Sequence, residues 1–381
     1  MSLDALLEDR FEGRGQHRQL RPFQSYGPRH LIDDQGRRVL NFASNDYLGL
    51  SELCTSSEIR SQPSSRLLAG NTRRHLELED LLADFLGRAA SLTYPSGYTA
   101  NLGVLSCLPQ KGDTIIMDRL SHASLLDGAR LSGARIERFH HQDLNHLEEL
   151  LKRHEKKSSQ IWVVSEGLFS MDGDLCPIRE MVELKDRFGA LLILDEAHSI
   201  GIYGKEGRGW AHQQESLERV DILTFNLSKA FALQGGVVSG SKKLKETLIQ
   251  NSRQQIYTTA TPLSHLEALP ERLETIRKSD AKREHLAKLC EQLAQTLSLE
   301  GHTAPILPYH LEGSDRALSI AEDLWDQAIF CPAILPPTVP LNSSRLRISL
   351  NTLHQREDLS TLSQALIQFR AGAPLDSHQR S

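Results

Sequence analysis

The chain has 381 residues, 39% of them hydrophobic and 24% charged, which is long enough for two or three domains and outside the disordered classes. Its 44 Lys and Arg against 49 Asp and Glu leave a net charge of −5, a balance that disfavours a protein held on nucleic acid or anionic membrane by charge. No apolar run approaches the ~20 residues that span a bilayer. The opening stretch MSLDALLEDRFEGRG carries acids and no basic segment ahead of an apolar one, so no signal peptide is expected. Five scattered cysteines without a C-x-x-C pair fit a reduced, cytoplasmic setting. His140, His141 and His146 lack the spacing of a metal-ligand set, so they read as a wet turn or helix start, and no metal is expected.

In chain order, short apolar runs at 91–94, 113–117, 161–165, 191–195, 222–225 and 236–239 read as strands. They are leucine-rich or β-branched and lack polar alternation, as strands buried on both faces do. Helical patterns at 76–86, 144–151 and 179–187 lie between them. This alternation predicts an α/β fold, a mostly parallel sheet covered on both faces. From Leu266 the texture turns to charged helix, a long surface helix or helix pair that Pro270 interrupts or starts. A strand near 345–350 and a helix at 355–369 follow, giving a smaller α+β domain. The division expected is an N-terminal segment at 1–45 packed on the small domain, a large domain at 46–265 and the small domain at 266–381. The tail from Ala371 reads as disordered.

The polar residues that stand out follow strand ends, where an open α/β sheet binds ligands. The first strand runs into Ser96-Gly97-Tyr98, where a helix can open with free N–H groups toward an anion. The next four lead to His122, Ser170, Asp195 with His198, and Asn226 with Lys229. Singly, Asp195 could be a helix cap, His122 a satisfied loop residue and Lys229 a surface charge. As a set they match the needs of pyridoxal 5′-phosphate (PLP): a lysine to carry it, a carboxylate for its ring nitrogen and donors for its phosphate. The stretch LLILDEAH also looks like the metal-binding box of a helicase, but no G-x-x-x-x-G-K-[ST] loop accompanies it.

Seven blocks in order carry a family resemblance: NFASNDYLGLS (41–51), YPSGYTAN (94–101), DRLSHASLLDGARLS (118–132), SEGLFSMDGD (165–174), LDEAHSIGIYGKEGRG (194–209), SKAFALQGG (228–236) and PPTVPLNSSRLRISL (336–350). The chain resembles the α-oxoamine synthases of PLP fold-type I, from about residue 20 to 369. The resemblance implies PLP as cofactor, an aminotransferase-like large domain and a homodimer. It implies a decarboxylative condensation of L-alanine with a pimeloyl thioester of CoA or acyl-carrier protein, a step of biotin biosynthesis. It makes Lys229, His122 and Asp195 catalytic. Gly97, Tyr98, Ser170, His198 and Asn226 join them around the cofactor, and Arg21, Asn45, His122, Thr338 and Arg347 fall on the substrate side. The chain departs from the family in three places: Asn226 stands for the usual Thr, the Gly-rich segment is shortened to SSEIRSQPSSRLLAG (56–70), and Leu335 replaces a basic residue. A sibling synthase using glycine or serine, and a non-catalytic scaffold, are the competing readings.

Overall fold

A computed structural model describes residues 21–53, 63–299 and 301–370. The tail from Ala371 and the first part of the shortened segment, up to residue 62, lie outside the described residues.

The chain enters through β1 (Phe23–Ser25), β2 (His30–Asp33) and β3 (Arg38–Asn41). Asp33 closes the β2–β3 turn by accepting the N–H groups of Gln35 and Arg37. The central sheet then takes β4 (Ala90–Tyr94), β5 (Thr114–Asp118), β6 (Arg135–Phe139), β7 (Ile161–Glu166), β8 (Leu191–Asp195), β9 (Ile222–Asn226) and β10 (Gly236–Gly240). Their spatial order is β4-β10-β9-β8-β7-β5-β6. The five strands from β9 to β6 pair parallel, and β10 runs antiparallel to both its neighbours. The last strands are β11 (Ile306–His310), β12 (Ile329–Phe330), β13 (Ala333–Ile334) and β14 (Arg345–Ser349). β12 joins β3 in a four-stranded sheet, and β11, β14 and β13 form a third.

The large sheet separates two apolar cores, and alternate residues of one strand feed opposite ones. Ile116, Val163, Leu192 and Leu194 point to one face; Ile115, Met117, Trp162, Val164 and Ile193 point to the other. That is why the strands read as unbroken apolar runs. β6 is the edge, and its Arg135, Glu137 and Arg138 break that pattern, so the sequence reading missed it. β11 was missed because Pro308 interrupts it; as an edge strand it tolerates the absent N–H.

The charged stretch resolves into helices Leu269–Arg277 and Asp280–Leu297, with Pro270 in the first turn of the former. Neither is a surface helix all round. Leu269, Leu273 and Ile276 pack in the large sheet's core, whereas Leu286, Leu289, Leu293 and Leu297 pack in a third core. That third core also takes Phe42, Tyr47, Ile306, Leu346 and Ile348, so it joins the N-terminal strands to the C-terminal ones. The four described cysteines are free thiols. Among the described residues no helix is long and apolar enough to cross a membrane.

Candidate active site

At the carboxyl ends of the parallel strands lies a cavity of about 170 Å³. Gly97, Tyr98, His122, Asp195, His198, Asn226 and Lys229 line it, together with Asn101, Ser124 and Glu166, which sequence reading had not singled out. Each arrives by a local rule. Ser96 caps helix Gly97–Leu105 in a capping box with Thr99, which consumes the N–H of Thr99. The N–H groups of Gly97 and Tyr98 are left toward the cavity, at the positive end of the helix dipole. Two glycines allow that approach. A Cβ on Gly97 would sit 2.8 Å from Asn226 Cβ, and one on Gly236 would meet the Ser96 carbonyl oxygen at 2.1 Å.

His122 is the N-cap of helix Ala123–Ser132: its Nδ1 accepts the N–H of Ser124 and lies 2.8 Å from Ser124 Oγ. In the neutral ring that arrangement puts the proton on Nε2, a donor facing the cavity. Asp195 ends β8 buried, with Asn101 Nδ2 donating to one oxygen at 2.7 Å and Ala197 N to the other at 2.9 Å. Asn101 is itself fixed by Thr224, whose hydroxyl donates to it at 2.7 Å. The neighbouring Glu196 does no chemistry at the cavity. It is buried in a different direction and accepts the N–H groups of Trp210 and Ala211 at 2.8 and 2.7 Å.

A hydrogen-bonded chain runs from Lys229 into the third core. Lys229 Nζ lies 2.5 Å from His198 Nε2, and His198 Nδ1 lies 2.6 Å from the Tyr47 hydroxyl. Tyr47 donates to Asn45 Oδ1 at 3.3 Å, and Arg347 donates to the same oxygen at 3.1 Å. Burial lowers the Lys229 amine to about 8, chiefly against the pull of Asp195. Burial, with Lys229 and Arg347 nearby, holds His198 well below the usual histidine range, so its ring is neutral. The chain therefore has two consistent directions. A protonated Lys229 donates to Nε2 and passes donation through Nδ1–H to Tyr47 and on to Asn45. A neutral Lys229 accepts from Nε2–H, and Tyr47 turns its one O–H from Asn45 to Nδ1.

Arg347 is buried, and three of its five N–H donors are engaged, by the Ser170 carbonyl at 2.7 Å, Ser349 Oγ at 2.7 Å and Asn45. Its guanidinium also hydrogen-bonds the Tyr47 hydroxyl, and neither Arg347 nor Asn45 is among the residues that line the cavity. Ser170 thus enters through its main chain, as a support for Arg347, and its side chain does not line the cavity. Arg21 and Thr338 do not reach the cavity either. The Arg21 guanidinium stands 3.9 Å over the Trp325 ring, and Thr338 is an exposed turn residue whose N–H goes to the Leu335 carbonyl. The predicted wet turn at His140–His146 contains one structural residue: His141 bridges Asp118 at 2.9 Å and Asp174 at 2.5 Å. Burial opposes its charge, but those two carboxylates outweigh it and raise the imidazole to about 10.

The aminotransferase class I and II profile matches residues 37–366. An 8-amino-7-oxononanoate synthase of Acidithiobacillus ferrooxidans is 40% identical over 361 residues, covering 91% of this chain and 92% of that protein. One from Nitrosococcus oceani is 39% identical, covering 87% and 92%. The chain belongs to the 8-amino-7-oxononanoate synthase family, within the class I and II aminotransferases. Solved relatives agree in fold across this synthase family and its neighbours. A Sphingomonas wittichii serine palmitoyltransferase superposes with TM-score 0.87 at 27% identity, covering 97% of this chain and 95% of its own. The 8-amino-7-oxononanoate synthase of Francisella tularensis superposes with TM-score 0.74 at 26% identity, covering 87% and 98%. A serine palmitoyltransferase from S. paucimobilis, solved with PLP bound, matches at TM-score 0.86 and 28% identity, covering 91% of each chain.

Proposed function

We propose that this protein is a PLP-dependent acyltransferase that condenses L-alanine with a pimeloyl thioester to 8-amino-7-oxononanoate, with release of thiol and carbon dioxide, for biotin biosynthesis. The observation that carries this reading is the Lys229–His198–Tyr47–Asn45–Arg347 chain, which links the cavity-lining Lys229 to a buried arginine. The family membership supplies the substrates. The cavity suits PLP on its own terms: the N–H groups that open helix Gly97–Leu105 and the side-chain amide of Asn226 lie together at one end of it, where Gly97 and Gly236 leave no room for a Cβ. Lys229 would carry the cofactor, Asp195 would face its ring nitrogen, and Gly97 and Tyr98 would receive its phosphate, with Asn226 and His198 close by. Bound PLP supplies an electron sink for the charge left when an α-proton is removed.

The residues divide the remaining work. Arg347 grips the carboxylate of L-alanine through its planar fork. Lys229 Nζ takes the α-proton and returns one; an amine near 8 is present in both forms close to neutral pH, as a base that must also act as an acid requires. His122 Nε2–H donates to the thioester oxygen as negative charge gathers there. Leu68 and Tyr257 are 83% and 72% exposed on segments joined by the Ser65–Thr259 bridge, an apolar surface that supports a homodimer. Free cysteines support a reducing, cytoplasmic setting.

A sibling that uses serine has a specific observation in its favour, the close superposition on serine palmitoyltransferases. The visible spectrum of the PLP-loaded protein separates the two, with L-alanine, glycine and L-serine added singly. A band that responds to L-alanine, and formation of 8-amino-7-oxononanoate from pimeloyl-CoA or its acyl-carrier-protein counterpart, are expected. A response to L-serine alone would move the protein to the sibling activity, and the absence of any visible band would overturn the cofactor assignment.

A further inference from the structure

Glu166 is a cavity-lining acid for which the reaction outlined above has no use. It ends β7 as the direct register partner of Asp195 on β8, so two carboxyl groups stand side by side on one wall. Both are buried, at 3% and 6% exposure. Their partners differ. Asp195 accepts one donor on each oxygen, from Asn101 and Ala197. Glu166 accepts one, the main-chain N–H of His122 at 2.5 Å on Oε1, and among the described residues its Oε2 has no partner. Two adjacent buried carboxyls do not both ionise cheaply, and the charge settles on the one with more donors.

We propose that Glu166 works as a neutral carboxylic acid, a positioning residue that fixes the main chain of His122 through Oε1 and keeps its proton on Oε2 at the cavity wall. Asp195 is then the single anion beneath the bound ring, and His122 is held from two sides, by Glu166 at its N–H and by Ser124 at its Nδ1. The groups that face Glu166 are Asp195 from β8, Asp118 from β5, His122 from the loop after β5 and Lys229 from the loop after β9. Burial, then Asp195, push Glu166 well above the usual carboxylate range, and the His122 N–H and Lys229 only partly offset them.

The inference rests on the proposed reading of the cavity, so its first test avoids the cofactor. In the infrared spectrum of the cofactor-free protein at neutral pH, Glu166→Gln is expected to remove one protonated-carboxyl C=O band that the parent shows, without a change in melting temperature. The second readout is the pH midpoint of the visible spectrum after PLP is added. An amide replaces a neutral acid without altering charge, so the midpoint is expected within a few tenths of a unit of the parent. Loss of no acid band would overturn the proposal. So would a midpoint lowered by a unit or more, which means that a negative charge had been removed from beside Lys229. Glu166→Asn, smaller and equally neutral, replaces Gln if that variant does not fold. Failure to bind PLP would count against the proposed function while leaving the infrared result to decide the charge of Glu166.

Discussion

The two ends of strands β8 and β9 handle a lysine in opposite ways. At their N-terminal ends Lys185 is buried with Asp186 at 2.8 Å and Asp221 at 3.1 Å, and Asp221 also accepts the N–H of Leu192. At their C-terminal ends Lys229 is part-buried and, among the described residues, has no carboxylate within ion-pair distance; its partner is a neutral imidazole. Lys185 is a charge whose desolvation is met by direct pairing, and it ties helix Ile178–Arg187 to the start of the sheet. Lys229 is a charge left short of compensation, and its amine falls to about 8. Burial alone does not mark the reactive lysine. The missing ion pair does.

The largest effect that follows is on turnover. Replacing Lys229 by Met removes the base and the cofactor's attachment, so kcat is expected to drop at least about 1,000-fold. The same variant breaks the comparison through stability. Because the folded-state lysine titrates near 8 and the unfolded one near 10.5, the unfolded chain binds more protons between those values. The cofactor-free parent therefore gains stability as pH rises from about 8 toward 10.5, and below that window it bears the cost of a protonated Lys229. Cofactor-free Lys229→Met is expected to melt no lower than the parent at pH 7, and the gap is expected to close as pH rises. Thermal denaturation at several pH values checks this, and a markedly lower melting temperature for the variant at pH 7 would show that Lys229 is a structural charge like Lys185.

A smaller effect tests how far the unpaired end depends on the third core. Tyr47→Phe keeps the buried ring and deletes the hydroxyl that lies 2.6 Å from His198 Nδ1. That leaves a buried ring nitrogen unpartnered and cuts the route from Lys229 to Asn45, at about 1–3 kcal/mol. The expected outcome is a fall in kcat of about tenfold with KM for L-alanine changed by less than threefold, since Arg347 stays held by Ser170, Ser349 and Asn45. A rise in KM with kcat intact would instead place Tyr47 in amino-acid binding, and steady-state kinetics distinguishes the two.

What the sequence made legible follows the same division. Lys229, Asp195, His198, His122, Gly97 and Asn226 were readable because each sits within a few residues of a strand end, and the strand-end rule gathers them on one rim without any knowledge of tertiary contacts. The parallel sheet was readable because strands buried on both faces need apolar residues at every position. Glu166 was within the same reach, at the end of β7, and was passed over because a carboxylate in SEGLFS reads as an ordinary polar residue until its partner on β8 is known. Tyr47 was not accessible at all: it is 151 residues from His198, and nothing local separates it from a core tyrosine. Arg21 and Thr338 came by resemblance, and here their side chains lie away from the cavity. The charged helices misled because their apolar seams enter two different cores, so neither shows one continuous stripe.

The smallest expected effect on activity lies at the paired end, and it sharpens the contrast with Lys229 because the substitution is the same. Lys185→Met removes a cation from beside Asp186 and Asp221 and leaves the Asp221 carboxylate, at the start of β9, with the Leu192 N–H as its hydrogen-bond donor. Asp186 keeps Arg219, so the loss falls mainly on Asp221. Removing one member of such a cluster costs about 1–3 kcal/mol, less than a fully enclosed pair because Asp221 retains some contact with water. The variant is expected to melt several degrees lower than the parent at pH 7 while kcat and KM stay within about twofold, since no hydrogen bond connects Lys185 to the cavity. The two Lys→Met variants should therefore separate on two axes, one losing catalysis without stability and the other losing stability without catalysis. If Lys185→Met also lowered kcat severalfold at temperatures well below its melting transition, the N-terminal ends of β8 and β9 would be setting the position of Asp195 and Asn226 at their far ends, and the two halves of the sheet would have to be treated as one coupled unit.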